Sequence, residues 1–129
     1  TYSQEVKHLF LHDYRGAKDL QIPSGYCFPY QPNLMQRYTA YLVKTRKRLG
    51  NWSGTGAGKT LSAILASRVI DAKLTVICCP NNVTGQWEDN ILSAYPDSSV
   101  FIKETDIQKD ETKNHRIHKL RHATGVRLF

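Results

Sequence analysis

Apolar residues recur at helical spacing along much of this chain and run almost unbroken in one short stretch. In residues 3–17, Val6, Leu9, Phe10, Tyr14 and Ala17 fall on one stripe, with Ser3 as N-cap and Gly16 near the end, which predicts an amphipathic helix. Residues 20–32 carry Pro23, Gly25, Pro29 and Pro32 and read as an extended connection, aromatic at Tyr26, Phe28 and Tyr30. Asn33 is placed to cap a second helix, with Leu34, Met35, Tyr38, Tyr41 and Leu42 as its apolar positions and Lys44-Thr45-Arg46-Lys47-Arg48 as a solvated cationic end. A third helix begins near Thr60, with Leu61, Ile64, Leu65 and Val69 on one face and Arg68 and Asp71 turned to solvent. Residues 74–79, Leu-Thr-Val-Ile-Cys-Cys, form the near-continuous run, the pattern of a strand covered on both faces.

The remaining elements are shorter. Residues 49–52 should be the strand before the third helix, although Gly50 and Asn51 have poor strand propensity. A further helix starts at Thr84 or Gly85, carries Trp87, Ile91 and Leu92 inward, and stops before Pro96. Val100-Phe101-Ile102 reads as a strand, residues 103–114 as a polar surface segment, 115–122 as a helix anchored on Ile117 and Leu120, and 126–129 as the start of another strand. Strands alternating with helices predict an α/β domain, a parallel sheet flanked by helices with right-handed crossovers. Ligands of such sheets bind at the carboxyl ends of the strands. Residues 53–60 and 80–87 both follow strand ends directly and are expected on the same sheet edge.

The first of these is Ser53-Gly54-Thr55-Gly56-Ala57-Gly58-Lys59-Thr60. A polyphosphate needs many donors converging on a concave backbone, and glycines permit that because they reach positive φ and let main chain approach the ligand. Gly54, Gly56 and Gly58, with Thr55 and Ala57 between them, are expected to form an anion nest, and the following helix adds its unpaired N–H groups. Lys59 then reaches the β and γ oxygens of ATP or GTP, and the Thr60 hydroxyl ligates Mg²⁺. Ser53 stands where G-x-x-x-x-G-K-[ST] has its first glycine.

Composition narrows the setting. A chain of 129 residues with 40% hydrophobic content can build a core. No run approaches the length of a membrane span, and the first residues do not resemble a secretory signal. Cys78 and Cys79 are strand neighbours on opposite faces and Cys27 stands alone, so no disulfide framework is expected and a reducing cytoplasm or nucleus is. The formal charge of +7 fits a nucleic-acid partner or simple solubility charge. His8 and His12 share one helix face, and His115, His118 and His122 another, but neither set has the cysteine or carboxylate companions of a zinc site.

Three stretches in this order resemble the first RecA-like domain of superfamily 2 helicases and translocases, especially the Swi/Snf-type and restriction-translocase branches. Phe28-Pro29-Tyr30-Gln31 resembles their aromatic-Tyr-Gln element, and residues 55–60 resemble their T-G-x-G-K-T phosphate motif, which tolerates Ser53. Val76-Ile77-Cys78-Cys79-Pro80 with Val83, Gln86 and Trp87 is similar to their apolar strand followed by P-x-x-[LV]-x-x-Q-W. The resemblance covers roughly residues 26–91. It implies that residues 1–25 are an N-terminal helix and linker, and that 26–129 are the N-terminal part of a RecA-like ATP-binding domain. It also implies that the Gln31 amide reads adenine, that Lys59 and Thr60 hold phosphate and Mg²⁺, and that the turn Pro80, Asn81, Asn82 faces a nucleic-acid backbone, DNA ahead of RNA. Trp87 is read as a packing residue.

Hydrolysis needs an acidic pair after an apolar strand. The sole Asp-Glu pair, Asp110-Glu111, sits in a polar run, and Glu104 lacks a preceding aspartate. The resemblance therefore places the acidic motif and a second RecA-like domain beyond this stretch, and residues 1–129 alone are expected to bind ATP without turning it over. The reading is the ATP-binding part of a nucleic-acid-dependent ATPase. The alternatives are a P-loop ATPase or kinase unrelated to nucleic acid, or a non-hydrolysing ATP-gated scaffold.

Overall fold

A computed structural model describes residues 1–102 and 127–128. In chain order it holds α1 (Tyr2–Lys18), α2 (Leu34–Arg46), α3 (Lys59–Val69), α4 (Thr84–Ala94) and the two-residue strands β1 (Ser98–Ser99) and β2 (Arg127–Leu128), with a single 3₁₀ turn, Asn81–Val83, leading into α4. The helix expected over 115–122, the polar segment 103–114, and His115, His118 and His122 lie outside the described residues.

Helix α3 is the centre of the packing. It is buried at Ser62, Ile64, Leu65, Ala66, Ser67 and Arg68, so both of its sides are covered. On one side Leu65 and Ala66 meet Leu20 and Ala40, with Ile22, Val43 and Val69 around them. On the other, Ile64 meets Ile91, Ala94 and Tyr95, joined by Tyr26, Phe28, Leu61, Ile77, Trp87 and Val100. Trp87 thus packs, while Gln86 is exposed.

The small size of the described core puts a premium on polar ties. Arg37 of α2 donates to the carbonyls of Ala17, Lys18 and Leu20 at 3.2, 2.6 and 2.8 Å and so closes the open end of α1. Arg46 pairs with the buried Asp13. These two ties decide how α1 sits. Its inner face is Asp13, Ala17 and the following Leu20, while Val6, Leu9 and Phe10 of the expected stripe are exposed. Helix α2 likewise buries Gln36 and Thr39 beside Ala40 and Leu42, and leaves Leu34 exposed.

Arg68 corrects a further expectation. It is buried, not solvated, because Asp97 and Ser98 supply partners and the Tyr95 ring covers it. Asp71 is exposed, at φ 55°.

The described residues do not contain the three strands expected at 49–52, 74–79 and 100–102. They hold one parallel pair, Ser98 opposite Arg127 and Ser99 opposite Leu128. The run 74–79 nevertheless keeps the period of a strand: Thr75, Ile77 and Cys79 are half-buried, and Leu74, Val76 and Cys78 are exposed. Extended backbone becomes a strand only when a ladder partner lies beside it, and among the described residues none pairs along this run, which carries a lone bridge at Leu74. For 49–52, Gly50 and Asn51 weaken the strand locally, and Trp52 stands 95% exposed.

Candidate functional site

Residues 53–58 form an open loop that ends at the first turn of α3. The Ala57 N–H donates to the Gly54 carbonyl at 3.3 Å, closing a turn. Gly56 and Gly58 both sit at φ 78°, conformations that other residues resist. An added Cβ at Gly54 or Gly56 would meet nothing within 4 Å, so the loop is open at both positions. The Lys59 ammonium reaches back across it and donates to the carbonyls of Ser53 at 2.7 Å and Gly54 at 3.1 Å. Asn51 secures the loop's entrance, since its Oδ1 accepts from the Ser53 N–H and hydroxyl.

Gly58 is the N-cap of α3 and brings no side-chain cap. The first N–H groups of the helix are thereby left for an external acceptor, with the positive end of the helix dipole behind them. A cationic side chain, an open glycine cradle and an uncapped helix start fit a polyphosphate. Thr60, in the same first turn, carries the hydroxyl that suits a hydrated Mg²⁺ held against phosphate.

Gln31 lies at the far end of an anchored aromatic segment. Phe28 packs beside Ile64 and Tyr95, Tyr26 meets Tyr95 edge-on at 5.7 Å, and the Cys27 N–H donates to the Ala94 carbonyl at 2.8 Å. The Tyr26 hydroxyl donates to the Tyr30 carbonyl at 2.7 Å, and burial raises its pKa above the ordinary tyrosine value. Tyr30 and Gln31 are left exposed. Two residues later Asn33 caps α2, its Oδ1 accepting from the Gln36 N–H at 2.9 Å.

Pro80, Asn81 and Asn82 form an exposed turn ahead of α4, held by the Val83 N–H on the Pro80 carbonyl at 3.1 Å and the Thr84 hydroxyl on the Asn81 carbonyl at 2.9 Å. A cleft of ≈ 730 Å³ is lined by Lys59 and Thr60 of α3 and Trp87 of α4, together with Thr39, Val43 and Val76. The first turns of α3 and α4 thus share a cavity, whereas Gln31 and the turn Pro80, Asn81, Asn82 do not line it.

Gln36 is the contact that the sequence reading missed. Its side chain bridges Asn33 and Gly58. The Asn33-x-x-Gln36 spacing was the available signal, because it matches a capping box.

Among the described residues no three His, Cys, Asp or Glu side chains gather to hold a metal ion, and His8 and His12 lie exposed on α1. The three cysteines are free. No described helix is long and apolar enough to cross a membrane.

No curated protein and no solved structure gives a significant match to this chain. The family model described as type III restriction enzyme, res subunit, matches residues 26–125. That span takes in the aromatic segment, the glycine loop, the run 74–79 and α4. The chain therefore belongs to the family of the res subunit of type III restriction enzymes, and carries its superfamily 2 helicase-like N-terminal domain.

Proposed function

We propose that this chain is the ATP-binding part of a nucleic-acid-dependent ATPase that couples hydrolysis to movement along, or remodelling of, DNA. The observation that carries this is the Lys59 ammonium drawn across an open glycine loop at the uncapped start of α3, in a chain of this family. Lys59, the free N–H groups of the loop and those of the first turn of α3 would hold the β and γ phosphates, and Thr60 would hold Mg²⁺, which would supply charge neutralisation at the phosphates. Gln31 reads the adenine edge, since one amide both donates and accepts. The exposed turn Pro80, Asn81, Asn82 lies along the nucleic-acid backbone.

The fold that suits these roles is a RecA-like α/β domain over residues 26–129, with residues 1–25 as an N-terminal appendage. The parallel pairing of β1 with β2 and the strand-like period of residues 74–79 support it. The acidic motif and a second RecA-like domain belong to the remainder of the parent protein.

The test is ATP hydrolysis by the full parent protein with single- and double-stranded DNA and RNA, beside a Lys59→Ala control. Stimulation by one nucleic acid, lost in the control, is the expected result. A rate indifferent to every nucleic acid points to a P-loop ATPase or kinase that does not act on nucleic acid, and tight ATP binding without turnover points to a scaffold.

A further inference from the structure

Three donors converge on the carbonyl oxygen of Gly58. The Ser62 N–H at 3.2 Å is the ordinary first bond of α3, and the Ser62 hydroxyl at 3.1 Å reaches back one turn. The third donor, Gln36 Nε2 at 3.3 Å, comes from a different helix. Gln36 is buried, and its Oε1 accepts from the Asn33 N–H at 2.9 Å. One side-chain amide therefore spans the cap of α2 and the last glycine of the loop.

The chemistry of that bridge is restrictive. An amide has distinct donor and acceptor ends, so flipping it would break both bonds at once. In a trans peptide the C=O and the next N–H point in opposite directions. The Gly58 oxygen, directed along α3 by its bonds from Ser62 and tied to α2 by Gln36, therefore leaves the Lys59 N–H turned out of the helix start, where an anion would sit. Gly58 is fitted to this arrangement twice: its φ is 78°, and an added Cβ would come within 2.5 Å of Gln36 Nε2.

We infer that Gln36 is a positioning residue of the phosphate loop, tying Gly58 to the cap of α2 and so to the aromatic segment 26–31. The base-side segment and the phosphate loop are thereby braced as one unit. The inference rests on the nucleotide reading above, and its test separates the two.

Gln36→Glu is the informative variant. A carboxylate still accepts from the Asn33 N–H and adds a negative charge that favours the first turn of α2, but it cannot donate to the Gly58 carbonyl. Binding of inorganic tripolyphosphate and of MgATP to residues 1–129 within the full protein is measured by calorimetry, with the urea midpoint alongside. At pH 8 the variant is expected to bind both about tenfold more weakly, with a urea midpoint lowered by the buried carboxylate but still high enough to keep it folded throughout the titration. As the pH falls through about 6 to 4, the carboxyl gains a proton it can donate, and the ratio of wild-type to variant affinity should return toward unity.

Lys59→Ala provides the separate control. If it leaves tripolyphosphate binding unchanged, the phosphate-site reading itself fails. If it weakens binding while Gln36→Glu does not, the positioning role fails alone. A Gln36→Glu protein that loses affinity with no recovery at low pH also overturns the positioning role, because simple loss of packing would produce that result.

Discussion

The Arg68 guanidinium, 5% exposed, donates to both carboxylate oxygens of Asp97, at 2.8 and 3.3 Å, and lies 4.3 Å from the centre of the Tyr95 ring. The Ser98 hydroxyl accepts a further bond from it at 2.7 Å. Helix α3 thus follows the glycine loop at its first turn and is locked, near its last, to the segment after α4 that carries β1.

Breaking this clamp should cost stability rather than binding chemistry. Arg68→Leu removes the charge, the hydrogen bonds and the contact with Tyr95. Because the Asp97 carboxylate is largely exposed, the cost is set at about 2 kcal/mol, below that of a fully buried pair. Asp97→Asn should cost about 1 kcal/mol, since it leaves the buried guanidinium a weaker acceptor. Urea unfolding of the two single variants and the double variant would measure the coupling, expected to be clearly non-additive.

The three glycines of the loop should not respond alike to alanine. Gly54 has neither a positive φ nor a neighbour that a Cβ would strike, so Gly54→Ala should leave stability within about 0.5 kcal/mol of wild type. Gly58→Ala places a side chain at φ 78° against Gln36 and should cost about 1–3 kcal/mol. Gly56→Ala carries the φ penalty without the collision and should fall between them. Thermal unfolding of the three variants gives the order directly.

This ordering marks how far the sequence could be read. Glycine spacing announced the loop, and Asn33 announced the start of α2, because both are local rules written in adjacent residues. The buried faces of α1 and α2 were not legible in that way. Apolar periodicity favoured Val6, Leu9, Phe10, Tyr14 and Ala17, yet of these Ala17 alone is fully buried, beside Asp13, which Arg46 of another helix neutralises. Arg68 was misplaced for the same reason: its partners, Asp97 and Ser98, are about thirty positions away. The run 74–79 read as a strand covered on both faces, yet Leu74, Val76 and Cys78 are exposed, because cover and ladder alike depend on neighbouring elements that no local pattern can supply.

Arg37 offers a second stability test, directed at α1. Its fork reaches the carbonyls of Ala17, Lys18 and Leu20 at once, which an ammonium cannot match. Arg37→Lys should therefore cost about 1 kcal/mol and release the end of α1. Hydrogen exchange should show faster opening of the α1 amides with little change in α3.

Burial holds the Tyr26 hydroxyl above its ordinary pKa of 10.0, so the folded state favours the neutral phenol. The sign follows directly. The contribution is complete below pH 10.0 and is lost as the pH rises through the higher folded value. Urea midpoints should therefore fall above about pH 10, and less steeply in Tyr26→Phe. The phenylalanine variant should also be less stable at neutral pH by about 1 kcal/mol, because the bond to the Tyr30 carbonyl is gone.

In the proposed function Lys59 recognises charge and Thr60 the metal, and single variants would separate the two. The Lys59 side chain is exposed, and its bonds go to loop carbonyls that water can satisfy in its absence, so Lys59→Ala should leave the unfolding midpoint nearly unchanged. Its affinity for MgATP should fall about 10- to 100-fold, the loss expected for a charge-assisted hydrogen bond to phosphate. Thr60→Val keeps the shape of the first turn and removes only the hydroxyl. Binding of ATP without metal should survive that change, while the increment added by Mg²⁺ should shrink. Titrating ATP with and without Mg²⁺ into both variants reads the two effects separately. Equal loss in both conditions for Thr60→Val would show that its hydroxyl contacts phosphate rather than the metal.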